Sequence, residues 1–238
     1  MPRLPTALIL SFGLFAPLPV FAATKPTVEK GEKLEVQMVR DPAWMPYEKA
    51  YDLASRFKDS PYKSVMIRFR LMPTRPGDNL QGLALHLYGK TTDIAIDIDQ
   101  DGFFDVPLDA QALAENAEFV ANRKAGSLRW LFFPLIRSSG ERQYRLAHLR
   151  NAAAEAQEAV SLMPWSARAR LALKMVKGVV FEFAEPDATA SIDLGGGRRQ
   201  TLAMQDRRIA LKFDQFAQAS DARIELSAKP IAIHPDFQ

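Results

Sequence analysis

Val65-Met66-Ile67-Arg68-Phe69-Arg70-Leu71 decides the fold. Val65, Ile67, Phe69 and Leu71 fall on one side of a period of two, and Met66, Arg68 and Arg70 on the other. Successive side chains of a strand point to opposite faces, so this alternation marks a strand with one face in a core. The run ends in Pro73-Thr74-Arg75-Pro76-Gly77-Asp78-Asn79, a cluster of turn formers. Leu83, Leu85 and Leu87 then alternate with Ala84, His86 and Tyr88, and Ile94, Ile96 and Ile98 with Ala95, Asp97 and Asp99. Phe104, Val106 and Leu108 follow Asp101-Gly102, with further strands expected at Glu118 to Asn122 and Leu128 to Leu135. Short strands separated by turn residues are the pattern of a sandwich or small barrel.

Two helices interrupt this pattern. Pro46 suits a first helical turn, and Ala50, Leu53, Ala54 and Phe57 share one face of Tyr47 to Phe57. Leu146, Leu149, Ala153, Ala156, Val160 and Met163 recur at helical spacing through residues 143–163, up to Pro164. The segment after this helix echoes the one before it. Phe104-Val106-Leu108-Asp109 aligns without a gap on Ile209-Leu211-Phe213-Asp214, and Ala117-Phe119-Ala121-Lys124 on Ala222-Ile224-Leu226-Lys229. Ile96-Asp97-Ile98 is matched to Ile192-Asp193-Leu194. An internal duplication and the alternation common to any two strand–turn–strand segments both account for this echo. The expected fold is mainly β with α elements: two sandwich-like (immunoglobulin-like) blocks joined by a helix. The expected divisions are 1–22 as a signal peptide, 23–140 as an N-terminal β-rich domain with one helix, 141–163 as the connecting helix and 164–238 as a C-terminal β-rich domain.

The first residues supply an address. Arg3 precedes the apolar run Ala7 to Ala16, Pro17 and Pro19 break it, and Val20-Phe21-Ala22 suits cleavage near Ala22–Ala23. The run is shorter than the roughly 20 residues of a membrane span, so export to the periplasm or beyond is expected, with no integral span. Thr24 to Lys33 is polar and reads as a mobile start, and Leu34 to Val39 alternates like an edge strand. The chain has no cysteine, so disulfides, thiol catalysis and a lipid anchor on cysteine are excluded, and an apolar core must carry stability. Removing Arg3 from the net charge of +3 leaves +2, and no nucleic-acid motif accompanies it.

Candidate chemistry is sparse. Asp97, Asp99 and Asp101 before Gly102 resemble the opening of a calcium loop, with Asp105 at the ninth position. Leu108 stands at the twelfth, where the loop needs a bidentate glutamate, and Asp-Gly is also a common hairpin turn. Calcium is therefore the one cofactor this spacing suggests, and a structural turn is favoured over it. His86, His148 and His234 form no zinc-binding spacing, and no nucleophile elbow is present. Gly195-Gly196-Gly197 connects strand to strand and so reads as a hairpin loop, not a phosphate cradle.

The densest basic region contains Arg142, Arg145 and Arg150, then Arg168, Arg170, Lys174 and Lys177 beyond Pro164, with Trp165 among them. Arg145, Arg150, Trp165, Arg168 and Arg170 are the candidate binding residues, for an anionic envelope polymer, lipid headgroups or a partner protein. A solvated helix face with a core tryptophan is the bland reading.

Gly102-Phe103-Phe104-Asp105-Val106-Pro107-Leu108, the run Ala117 to Lys124 and Arg145-Leu146-Ala147-His148-Leu149-Arg150 together resemble an uncharacterised family of exported proteobacterial proteins. That resemblance covers roughly the middle third and implies export without assigning a site. Size and layout are similar to those of pilus-assembly chaperones, whose characteristic motifs are not evident. The sequence thus points to a non-catalytic exported binding protein. A periplasmic chaperone or assembly factor and a carboxylate-based envelope hydrolase using Asp97 or Asp99 are the alternatives.

Overall fold

The structure, a computed structural model, describes residues 41–238 apart from 139 and 220. The expected leader, the polar start and the strand at Leu34 to Val39 lie outside the described residues. The first half runs through β1 (Pro42–Pro46), α1 (Tyr47–Lys58), β2 (Val65–Pro73), β3 (Leu85–Tyr88), β4 (Asp93–Ile96) and β5 (Phe103–Phe104). It continues with α2 (Ala110–Ala114), β6 (Glu118–Lys124) and β7 (Leu128–Ile136). The second half begins with β8 (Gln143–Arg145), α3 (Leu146–Ala159), a 3-10 turn at Val160–Leu162, α4 (Trp165–Leu171) and β9 (Val176–Glu182). It ends with β10 (Ala190–Asp193), β11 (Arg199–Leu202), β12 (Met204–Gln205), β13 (Arg208–Lys212), a 3-10 turn at Asp214–Phe216, β14 (Arg223–Leu226) and β15 (Ala232–Phe237).

The protein is mainly β, with four antiparallel sheets and a few helices. In the first half β1-β6-β3-β4 faces β5-β2-β7. The inward residues Phe119, Ala121, Leu85 and Leu87 of one sheet share a core with Val65, Phe69, Leu71 and Phe104 of the other. Helix α1 closes this core with Tyr47, Ala50, Leu53 and Phe57, the face its three- and four-residue spacing predicts. Each such large side chain contributes about 1.5–3 kcal/mol by leaving water. In the second half β8-β14-β10-β11 faces β12-β13-β9-β15 across Ile192, Ile224, Val179, Phe181, Ile209 and Leu211. Helix α3 serves both cores, giving Leu146, Leu149, Ala152 and Ala153 to the second and Ala156 and Ala159 to the first.

The two halves repeat one topology. Strand orders coincide when β1, β6, β3, β4, β5, β2 and β7 are replaced by β8, β14, β10, β11, β13, β9 and β15. The register repeats as well: Met45 faces Phe119 as Tyr144 faces Ile224, and Phe69 faces Phe104 as Phe181 faces Ile209. Even the linking hydrogen bonds recur. The Tyr47 amide donates to the Ala117 carbonyl (3.1 Å) as Leu146 does to Ala222 (2.9 Å). The Leu71 amide donates to Gly102 as Phe183 does to Arg207, each at 2.9 Å, and both acceptors have positive φ.

Three local expectations change. Ile192 lies opposite Ile224 as Leu87 lies opposite Phe119, so its counterpart is Leu87 and not Ile96. Gly195 to Gly197 therefore form the turn between β10 and β11, the equivalent of the β3–β4 turn rather than of the aspartate segment. The strand expected at Phe104 to Leu108 stops at Phe104, and the Tyr47 hydroxyl donates to the Pro107 carbonyl just beyond it. The helix expected over 143–163 begins only at Leu146, because Gln143–Arg145 pairs with β14, and tightens into the 3-10 turn after Ala159.

The halves meet through the outer faces of β5-β2-β7 and β13-β9-β15. Phe103, Leu135 and Ala232 form a third buried cluster there, with Met66, Phe133 and Ile231 against it. Structurally equivalent residues touch each other across this junction. Arg70 and Glu182 occupy matching positions in β2 and β9, since Arg70 faces Phe103 and Glu182 faces Arg208, and an Arg70 guanidinium N–H donates to Glu182 at 2.9 Å. Phe133 and His234, matched in β7 and β15, lie edge to face with centroids 5.5 Å apart. Mutual contact between equivalent positions is the geometry of a two-fold interface, here within one chain.

Candidate functional site

The residues singled out in the sequence do not converge on one place. Arg145 ends β8, exposed beside a shallow hollow shared with His148 and Arg223. Arg150 is occupied: its guanidinium donates to the Phe216 carbonyl at 2.7 Å and Phe213 at 3.3 Å, and lies 5.9 Å from the Phe213 ring centre. It thereby closes the 3-10 turn against α3. Trp165, Arg168 and Arg170 belong to α4, beyond the far end of α3. A helix rises about 1.5 Å per residue, so fourteen residues set the Arg145 end about 20 Å from that corner.

The aspartate segment serves the turn. Asp99 accepts hydrogen bonds from the amides of Phe103 (2.8 Å) and Asp101 (3.0 Å) and an ion pair from Arg68 at 3.4 Å. Arg68 also reaches Asp105 at 3.2 Å, whereas Asp97 lies exposed just beyond the end of β4. Burial, with the neighbouring Asp99 charge, raises the Asp101 carboxyl above the usual carboxylate range. Among the described residues no three acidic or histidine side chains gather to hold a metal ion. His86 pairs with Asp93 at 2.9 Å and stacks on Tyr88.

The corner carrying α4 has a different character. Trp165 is 75% exposed, Leu173 98% and Met175 54%, a density of apolar side chains in water that surfaces seldom leave without a use. Residues 165–177 carry Arg168, Arg170, Lys174 and Lys177 and no acidic residue. Local chemistry accounts for the shape. Pro164 starts α4, Met163 and Ala167 anchor it in the first core, and Leu171 ends it. The Gln157 side chain donates to the Lys174 carbonyl, while Met175 and Gln238 exchange backbone hydrogen bonds at 3.0 Å each. The turn is fixed in place with Leu173 facing outward.

Beside this corner a groove of about 690 Å³ runs along β7 and β15. Its walls include Trp130, Phe132 and Pro134 of β7, Pro235 and Phe237 of β15, and Leu171 of α4, with Arg170 and Lys174 on the α4 side. The sequence pointed to Trp165, Arg168 and Arg170 but not to Leu173, Met175 or the β7 and β15 walls. The acid-free run of 165–177 was the available signal, whereas the groove needs strands about a hundred residues apart.

Beneath the groove lies a buried ionic cluster. Glu182, 8% exposed, accepts from Arg70 at 2.9 Å and from His234 Nε2 at 2.7 Å, with Arg208 at 3.8 Å. Burial works to raise its carboxyl, but the hydrogen bonds and charges of His234 and Arg70 outweigh it and hold the group at about 2. Both long edges, β7 and β15, carry a proline at the matching position, Pro134 and Pro235, which removes an amide that an added strand would use. No helix among the described residues is long and apolar enough to cross a membrane. No protein-family model, curated protein or solved structure matches this chain.

Proposed function

We propose that this is a non-catalytic protein of the cell envelope that binds anionic envelope material peripherally, through the α4 corner. The observation that carries the reading is the joint exposure of Trp165, Leu173 and Met175 among four cations with no neighbouring acid in the run. Indole and aliphatic side chains partition into the boundary between water and acyl chains, and each flanking Lys or Arg adds about 1 kcal/mol beside an anionic surface. The export signal read at Arg3 to Ala22 supports an envelope location. The prolines on β7 and β15 weigh against a client-capturing strand edge. Asp99, engaged by two amides and Arg68, is poorly placed for acid–base work on glycans.

The test is cosedimentation with vesicles containing phosphatidylglycerol, compared with vesicles of phosphatidylcholine alone. Binding to the anionic vesicles is expected to weaken as salt rises. It should fall at least about ten-fold in the double variant Arg168→Glu, Lys174→Glu. Equal binding to both vesicle types, unchanged by salt and by the double variant, would remove the reading.

A further inference from the structure

We propose that the groove along β7 and β15 receives one acyl chain of an anionic lipid, whose charged head is held at Arg170 and Lys174. The inference rests on the peripheral-binding reading and adds the occupant of the groove.

Three observations carry it. The walls supplied by Trp130, Phe132, Pro134, Leu171, Pro235 and Phe237 are apolar, and among the described residues no acidic side chain lines them. His234 of the lining is hydrogen-bonded to Glu182, which is buried and paired with Arg70, so that charge is compensated. Asp236, between Pro235 and Phe237, is not part of the lining and accepts from the Gln238 side chain at 2.7 Å. Both lining cations come from the α4 side, next to the exposed Leu173 and Met175, so an entering amphiphile finds its charge partner where the apolar floor begins. A volume of about 690 Å³ falls within the range of small-molecule sites, about 300–1,000 Å³. An apolar slot with cations on one side complements a molecule that is oily along its length and negative at one end. A uniformly charged polymer would leave the floor unfilled.

Trp130 makes the proposal measurable. Trp44 and Trp165, 53% and 75% exposed, can be exchanged for phenylalanine, leaving Trp130 as the sole tryptophan. This variant is titrated with monomeric alkyl phosphates of increasing chain length, below their micelle-forming concentrations, and with a dibrominated dodecanoate. Affinity should rise about four-fold per added methylene until the groove is filled, then level off. The brominated chain should quench Trp130, and Arg170→Glu with Lys174→Glu should weaken both effects without unfolding, since both residues are exposed. Affinity independent of chain length, or Trp130 left unquenched by the bound dibrominated chain, would overturn the proposal. If anionic vesicles still bind in that case, the peripheral-binding reading survives alone. If monomeric chains quench Trp130 while vesicles do not bind, the groove stands and the vesicle reading falls.

Discussion

Exchanging Arg70 for methionine is expected to lower the free energy of unfolding by about 3 kcal/mol, measured by urea denaturation at neutral pH. Methionine retains most of the aliphatic stem but leaves Glu182 buried with His234, among the described residues, as its one close hydrogen-bond partner. Removing one member of a buried ion pair costs far more than the pair itself is worth, because the remaining charge stays out of water. The double variant Arg70→Met, Glu182→Leu should therefore recover most of the loss. A double variant no more stable than Arg70→Met would show that the loss comes from the other contacts of the guanidinium, the hydrogen bond to the Asp101 carbonyl and the Phe103 ring beneath it, and not from the unpaired Glu182 charge. The same cluster sets an acid limit. The Glu182 carboxyl is held at about 2, below the value of 4.5 it takes when free of these partners. Its folded state thus binds fewer protons than the unfolded chain, and its stabilisation is complete above about pH 4.5 and lost as pH falls toward 2. Stability of Glu182→Gln should vary less across that window than the wild type.

Phe103→Ala is expected to cost about 4 kcal/mol and to lower the melting temperature by about 10 °C. Phe103 is fully buried at the junction of the halves, with the guanidinium of Arg70 at 4.5 Å from its ring centre and that of Arg68 at 5.1 Å. The change opens a cavity and removes the aromatic face on which both cations lie. Phe103→Leu separates these effects, because it refills much of the space and forfeits chiefly the cation–π attraction, about 1 kcal/mol. Calorimetry should give a single transition for the wild type, since α3 contributes to both cores. Equal losses for the two substitutions would assign the effect to the ring's electrostatics and not to its volume.

The β character was legible wherever one face of a strand is buried, as along Val65 to Leu71 and Leu85 to Leu87, because water imposes the period of two. The echo between Phe104 to Lys124 and Ile209 to Lys229 was legible because no insertion separates the equivalent residues. It failed at Ile96 because unequal turns slide one hairpin against the other, and alternation alone cannot distinguish neighbouring strands. Arg145, Arg150 and Trp165 look like one basic cluster in the chain. Helix α3 carries Trp165 away from Arg145, and the carbonyls of Phe213 and Phe216 claim Arg150. The Arg70–Glu182 pair was invisible for a different reason. Its members are 112 positions apart and meet only because two similar blocks are set face to face.

The charges at that meeting point also make the partnership exclusive. Were either block to associate with a twin of itself in the same manner, guanidinium would confront guanidinium, or carboxylate would confront carboxylate, in a place with little water to screen them. Like residues at the axis would let the blocks pair indiscriminately between molecules. Opposite signs there favour union of a first block with a second block, and the connecting chain keeps that match within a single molecule.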